Sequence, residues 1–414
     1  MSPSNIRVPD DGSPDSKLWI LGEAPGEEEE YHKKPFVGPS GKLLDSVLSL
    51  YSTGRESIFI SNMYPYRPQN NNFELIRGSL ELKQNVARLK ELAAACKPNC
   101  ILVLGNNALS VFTQYKGISA YRGSILESNG IKLIPSYHPA GVLREYGFYP
   151  IFAFDVNKAI EESKFPEFNY PVIDIVTNPT DLPNYPEYSV DIECTKKTKE
   201  LLCIGFGHFN AAFVLEFNAR NDELIRQILS SNTRKIFHNG CFDVNMLRLK
   251  GYVVNAYTDD TIVQAHLLEP ELPRSLAYLN TIYTRLPYYK QARAGIPEDD
   301  KSWGEGRTRE ELMIYNAKDV WVTYQVFIQQ RAELKERGLM DLYAYEMEAT
   351  LASIDISQAG MQVDEERRIL LQEGVLVKVI EAQKQLNKLA GYHVNPRSPK
   401  DVPQLLYDDI GLPI

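Results

Sequence analysis

The sequence predicts an α/β protein made of two sheet domains in series, followed by a short helical segment. Three observations carry this. Apolar runs at 18–21, 58–61, 101–104 and 131–135 alternate with helical periodicity, the pattern of a parallel sheet flanked by helices. From residue 190 the runs crowd together at 190–192, 201–206 and 211–215, which reads as hairpins before helices resume. Beyond residue 336 only helical periodicity remains.

At 414 residues the chain has room for two or three cores. Its net charge of −9 argues against a uniformly basic, DNA-coating surface but leaves local Lys/Arg patches open. The five cysteines are odd in number and show no C-x-x-C pair or zinc spacing, which fits buried, reduced thiols. Cys96 and Cys100 suit the end of a helix and the start of a strand. Residues 1–16 are polar and rich in Pro, Asp and Ser, a disordered leader without the apolar region of a signal peptide. No stretch approaches the length of a membrane span, and with reduced thiols the expected location is cytoplasmic.

The first strand, at 17–21, runs into Gly22-Glu23-Ala24-Pro25-Gly26, whose Gly and Pro residues force a tight loop at the strand's C-terminal end. Pro35-Phe36-Val37-Gly38-Pro39-Ser40-Gly41 then leads into an amphipathic helix from Lys42 to about Tyr51. Its glycines would let backbone N–H groups approach a phosphate. The strand at 58–61 ends at Asn62, and the strand at 131–135 leads to Ser136-Tyr137-His138-Pro139-Ala140. Parallel strands bring their C-terminal ends to one edge, so Glu23, Asn62 and His138 should collect there. Gly22 and Gly26 have a plainer reading as turn formers, and His138, before Pro139, as a satisfied loop residue.

In order, these segments resemble family 4-type uracil-DNA glycosylases over nearly all of residues 17–165. The resemblance implies uracil-containing DNA as substrate and gives the residues roles. Phe36 would stack on a flipped base, Asn62 would read uracil's amide edge, and His138 would donate a hydrogen bond to O2 of the departing base. Glu23 falls in the water-positioning segment, and Glu29 lies where the family shapes the pocket beside C5. One departure matters. The family carries four cysteines around an iron–sulfur cluster, whereas this sequence has none before Cys96. A cluster-free variant is expected, and a domain that binds uracil or template without cleaving stays open as the alternative.

The Pro-rich stretch 164–188, with an interposed strand at 172–176, reads as a linker that also supplies an edge strand to the next domain. Asp191 and Glu193 then stand at i and i+2 and share one face of a strand. Asp243 follows a strand-like run, and Tyr315 and Asp319 share a helix face. Any one of these acids alone reads as a solvated surface group. Converging, they would repel one another without cations between them, and hard oxygen ligands suit Mg²⁺ or Mn²⁺. Two such ions about 3.5–4 Å apart would serve an in-line displacement at phosphorus.

The three segments resemble the Exo I, Exo II and Exo III motifs of DEDDy-type 3′–5′ proofreading exonucleases, whose fold is ribonuclease H-like. The resemblance makes Asp191, Glu193, Asp243 and Asp319 metal ligands, makes Tyr315 the group that orients water, and implies a 3′-terminal single strand as the DNA partner. Asp259-Asp260-Thr261 resembles the family's Asp-Thr segment, though a helix N-cap explains it equally well. The loop 286–306 carries Lys290, Arg293 and Lys301, either in reach of phosphates or simply solvated. Residues 336–414 resemble the start of the thumb in family A DNA polymerases. No palm or fingers sequence is present, so the chain reads as the N-terminal part of a polymerase that cannot itself polymerise. The expected divisions are 1–16, 17–165, 166–335 and 336–414.

Overall fold

A computed structural model of the protein describes residues 6–195, 198–290 and 308–413. The first sheet has five strands, β1 (Leu18–Gly22), β2 (Ile58–Asn62), β3 (Cys100–Leu104), β4 (Leu126–Ser128) and β5 (Ile131–Ser136), in the order β2-β1-β3-β5-β4. β4 runs antiparallel to β5, and the others are mutually parallel. Around them lie α1 (Glu27–His32), α2 (Pro39–Leu50), α3 (Leu80–Cys96), α4 (Asn106–Phe112), α5 (Ile118–Tyr121), α6 (Pro139–Arg144) and α7 (Tyr149–Ser163). Both faces of the sheet are covered, which is why the parallel strands are continuously apolar. On β1, Leu18 and Ile20 pack with Leu44 and Val47 of α2 and Val156 of α7. Trp19 and Leu21 face Leu89 of α3 and Leu109 of α4.

The expected disordered leader is corrected from residue 6 onward. Val8 is buried and donates its N–H to Pro65 O at 2.9 Å. Asp10 accepts from Arg88 at 2.8 Å and from Ser61 Oγ at 2.6 Å, and Asp11 pairs with Arg55 at 3.1 Å. The acids that made the stretch look soluble are the groups that fasten it.

The second sheet is ordered β11-β10-β7-β8-β9-β6. Its strands are β6 (Asp174–Thr177), β7 (Glu187–Cys194), β8 (Leu201–His208), β9 (Ala211–Glu216), β10 (Arg234–Phe237) and β11 (Tyr257–Asp260). β7, β8 and β9 form the expected antiparallel meander, β10 and β11 add in parallel, and β6 is the edge strand anticipated in the linker. The helices are α8 (Asp222–Ser230), α9 (Gly240–Leu249), α10 (Thr261–Leu268), α11 (Leu276–Tyr283) and α12 (Arg309–Glu336). α12 lies against β8 because Gly205 has no side chain. A Cβ there would meet Asn316 Oδ1 at 2.3 Å and Val320 Cγ1 at 2.9 Å.

The linker is not loose. In β5 the fully buried Lys132 gives its three protons to Glu162 Oε2, Phe165 O and Glu167 O at 3.1, 2.6 and 3.1 Å. Arg285 of the second domain pairs with the same Glu162 and donates to Phe168 O at 2.9 Å. Lys158 Nζ reaches Thr281 O at 2.6 Å. The two sheet domains therefore form one compact unit that runs on to Ile354, inside α13 (Met340–Ala359). Past residue 335, Tyr343, Met347 and Ile354 of α13 pack into the core of the second domain. The second unit, 355–413, contains α14 (Glu365–Ala390), begun by Asp364 accepting from Arg367 N at 3.0 Å and ended by Gly391 at φ 81°. Among the described residues no helix is long and apolar enough to cross a membrane.

Candidate functional site

At the C-terminal edge of the first sheet a cavity of about 740 Å³ is lined by Glu23, Glu29, Phe36, Asn62 and His138, with Arg144 beside them. The register Gly22↔Asn62 sets the ends of β1 and β2 side by side. Gly22 has no Cβ, which would fall 2.5 Å from both Asn62 Oδ1 and the Phe36 ring. Asn62 is buried, and its Oδ1 has no hydrogen-bond partner among the described residues. Asn85 Nδ2 donates to Asn62 O and Met63 O, at 3.0 Å each, and so fixes the backbone behind that side chain.

Phe36 holds a left-handed backbone at φ 53°, a conformation that costs a non-glycine residue roughly 1–3 kcal/mol. Arg55 clamps it by donating to Pro35 O at 2.7 Å and Phe36 O at 2.8 Å while pairing with Asp45 and Asp11. The Phe36 ring stands 6.0 Å from the His138 ring. His138 caps α6, its Nδ1 accepting from Ala140 N at 3.2 Å. Burial, with Arg144 acting in the same direction, holds the imidazole down to about 4. The ring is therefore neutral at pH 7 and carries its proton on Nε2. Burial raises the carboxyls of Glu23 and Glu29, opposed at Glu23 by hydrogen bonds with Asn107 and at Glu29 by the Gly26 N–H.

In the second domain, Asp191 and Glu193 project from one face of β7 and meet Asp319 of α12. Single oxygens of the three carboxylates lie within 4.8 Å of one another. Two unit charges at that separation repel by roughly 3–4 kcal/mol at an effective dielectric of about 20. Asp191 is accordingly raised well above the usual carboxylate range by burial, then by Asp243, Asp319 and Glu193. Asp243, in the first turn of α9, borders this triad without being one of its three members. It accepts from Ile192 N at 3.0 Å, the amide between the two β7 acids, and burial pushes it up to about 7. Asp260 accepts from Ile262 N at 2.8 Å as the N-cap of α10. It also accepts from Asn239 N and Gly240 N, at 3.0 and 2.8 Å, and so anchors the helix that carries Asp243. Tyr315 is buried one turn before Asp319.

Residues 9–159 match the uracil DNA glycosylase superfamily, and residues 180–335 match a 3′–5′ exonuclease family. The type-4 uracil-DNA glycosylase of Saccharolobus solfataricus is 30% identical over 168 residues, 37% of this chain and 74% of that protein. The type-4 enzyme of Thermotoga maritima is 34% identical over 137 residues, 32% and 70% of the two chains. The chain belongs to the uracil-DNA glycosylase family. Behind its glycosylase domain stands a 3′–5′ exonuclease domain. A DNA polymerase of Salmonella phage PMBT28, DpoZ, is 28% identical over 255 residues, 54% of this chain but 39% of that polymerase.

The glycosylase domain brings together all five residues expected in its pocket. The exonuclease domain gathers three of its four acids as one triad, with the fourth against their backbone. The donor set fits a divalent cation, being all-oxygen, mutually repulsive and buried at Glu193 and Asp319 with Asp191 half-buried. The cysteines of the glycosylase domain do not fit an iron–sulfur cluster. The matched glycosylase segment has only Cys96 and Cys100, and Cys100 is fully buried inside β3 with its thiol pushed up by burial.

Sequence reasoning missed Arg55, Asn85, Asn107, Asn316 and Tyr289, and it misplaced Lys290. Asn316 Nδ2 donates to Asp191 Oδ2 at 2.6 Å, and its position three residues before Asp319 was the available signal. Tyr289 Oη and Lys290 Nζ both donate to Asp319 Oδ1, and Lys290 Nζ also donates to Tyr315 Oη at 2.8 Å. Lys290 thus faces the acids and not a phosphate track, while Arg293 and Lys301 lie outside the described residues.

Proposed function

We propose that the chain excises uracil from DNA in its N-terminal domain and trims 3′-terminal nucleotides in the next, as the N-terminal part of a DNA polymerase. One observation carries the reading. Two separate sets of side chains converge, one of Phe36, Asn62 and a neutral His138 beside Glu23 and one of carboxylates, each on a domain whose family does the matching chemistry. Uracil flipped out of the stack would lie on Phe36. Asn62 Oδ1 would accept from N3–H while Nδ2 donates to O4. As the bond from C1′ to N1 breaks, N1 keeps the electron pair, and the charge reaching O2 meets the His138 Nε2–H donor. Glu23 would hold the water whose oxygen adds to C1′ and take up its proton.

In the exonuclease domain Asp191, Glu193, Asp243 and Asp319 would hold a pair of Mg²⁺ or Mn²⁺ ions. When bound, these supply the charge that lowers the pKa of the attacking water and steadies the leaving 3′ oxygen. Tyr315 would orient that water. The proposed division leaves uracil chemistry to residues up to about 165, proofreading chemistry to the residues through α12, and a thumb-like role to the helices that follow.

Separation-of-function variants test this. His138→Ala should lower alkali-revealed scission of a uracil oligonucleotide at least ~100-fold and leave 3′ trimming intact. Asp191→Ala should do the reverse. A parent protein that retains uracil DNA without producing alkali-labile sites makes the first domain a binding module, and equal loss of both activities in either variant contradicts the assignment.

A further inference from the structure

Lys290 is turned into the acidic cluster of the second domain. Its side chain is mostly enclosed, it pairs with Asp319 Oδ1, it donates to Tyr315 Oη at 2.8 Å, and its ammonium lies 4.7 Å from the Tyr315 ring centre. Asp319 Oδ1 accepts from a second donor as well, Tyr289 Oη. A carboxylate oxygen offers two acceptor positions, and both are taken, so this oxygen has none left for a cation. An ammonium at that oxygen would also repel a divalent ion brought to the same cluster.

We propose that Lys290 is a built-in competitor for the divalent cation at Asp319, holding Asp319 and Tyr315 in place without metal and yielding as metal binds. The inference rests on the exonuclease reading above and gives Lys290 a positioning role. Its displacement would open a lone pair on Asp319 Oδ1 for the ion and free the Tyr315 hydroxyl to orient water. A lysine serving instead as a phosphate contact would face outward; this one is turned into the acids, with 19% of its side chain exposed.

The test uses the full chain and Mn²⁺ binding measured by calorimetry. Lys290→Met should bind Mn²⁺ about tenfold more tightly than the parent, equivalent to about 1.4 kcal/mol, while Lys290→Arg, which keeps the charge, should show no gain. A second measurement needs no variant. Acetylation of Lys290 in the parent, read by peptide mass, should be slow in EDTA and rise several-fold as Mn²⁺ saturates the site. Unchanged or weaker Mn²⁺ affinity in Lys290→Met, or labelling indifferent to Mn²⁺, would overturn the proposal. If the parent binds no Mn²⁺ that Asp191→Ala abolishes, the exonuclease reading itself fails, and the Lys290 proposal with it.

Discussion

His138 shows how one side chain is tuned by where it sits. Its usual value of 6.5 is pulled down to about 4 because burial disfavours the charged ring. A group depressed in the fold contributes stability that is present above 6.5 and lost as pH falls through 4, here about 3 kcal/mol if the unfolded ring is ordinary. The same shift keeps Nε2–H a neutral donor across the working range. The His138 ring, read by NMR, should therefore stay neutral from pH 8 down to about 5; a ring that titrates around pH 6.5 would mean that the imidazole is exposed. His138 was legible as a site residue because it follows a strand end. Its tautomer was not, since that depends on the Ala140 amide it accepts from.

At the scale of elements, each site is held by side chains from elsewhere in the chain. The strained Phe36 loop is fastened by Arg55, and through Asp11 the same arginine reaches the leader. Asn62 is backed by Asn85, which accepts from Arg88 at 2.8 Å, and Arg88 in turn pairs with Asp10. Arg55→Met removes two charge-assisted bonds to backbone carbonyls, worth roughly 1.5–3 kcal/mol each. It should lower uracil excision by about 10–100-fold while 3′ trimming by the exonuclease domain stays at the parent rate. A loss confined to thermal stability, with excision unchanged, would show that the clamp does not position Phe36.

These supports explain what the sequence leaves out. Strand runs, helix bounds and the Asp191/Glu193 face are periodic, local signals, and they were readable. Arg55 to Phe36, Asp10 to Arg88 and Lys290 to Asp319 are pairings across 19, 78 and 29 residues, on which periodicity is silent.

Over the whole molecule, the glycosylase and exonuclease domains share one compact unit. It is stitched by Lys132, Glu162 and Arg285 on one side of the linker and by Arg122, which is buried against Asp155 and lies 5.0 Å from the Tyr278 ring. In the proposed reading each domain nonetheless keeps its own chemistry, the first working without a metal and the second dependent on one. The most direct measurement is a duplex carrying an internal uracil and a labelled 3′ mismatch, incubated with the full chain in EDTA and in Mg²⁺, then treated with alkali. The account expects scission at the uracil in both conditions and loss of the 3′ label in Mg²⁺ alone. Uracil scission that requires Mg²⁺, or 3′ trimming that persists in EDTA, would contradict it.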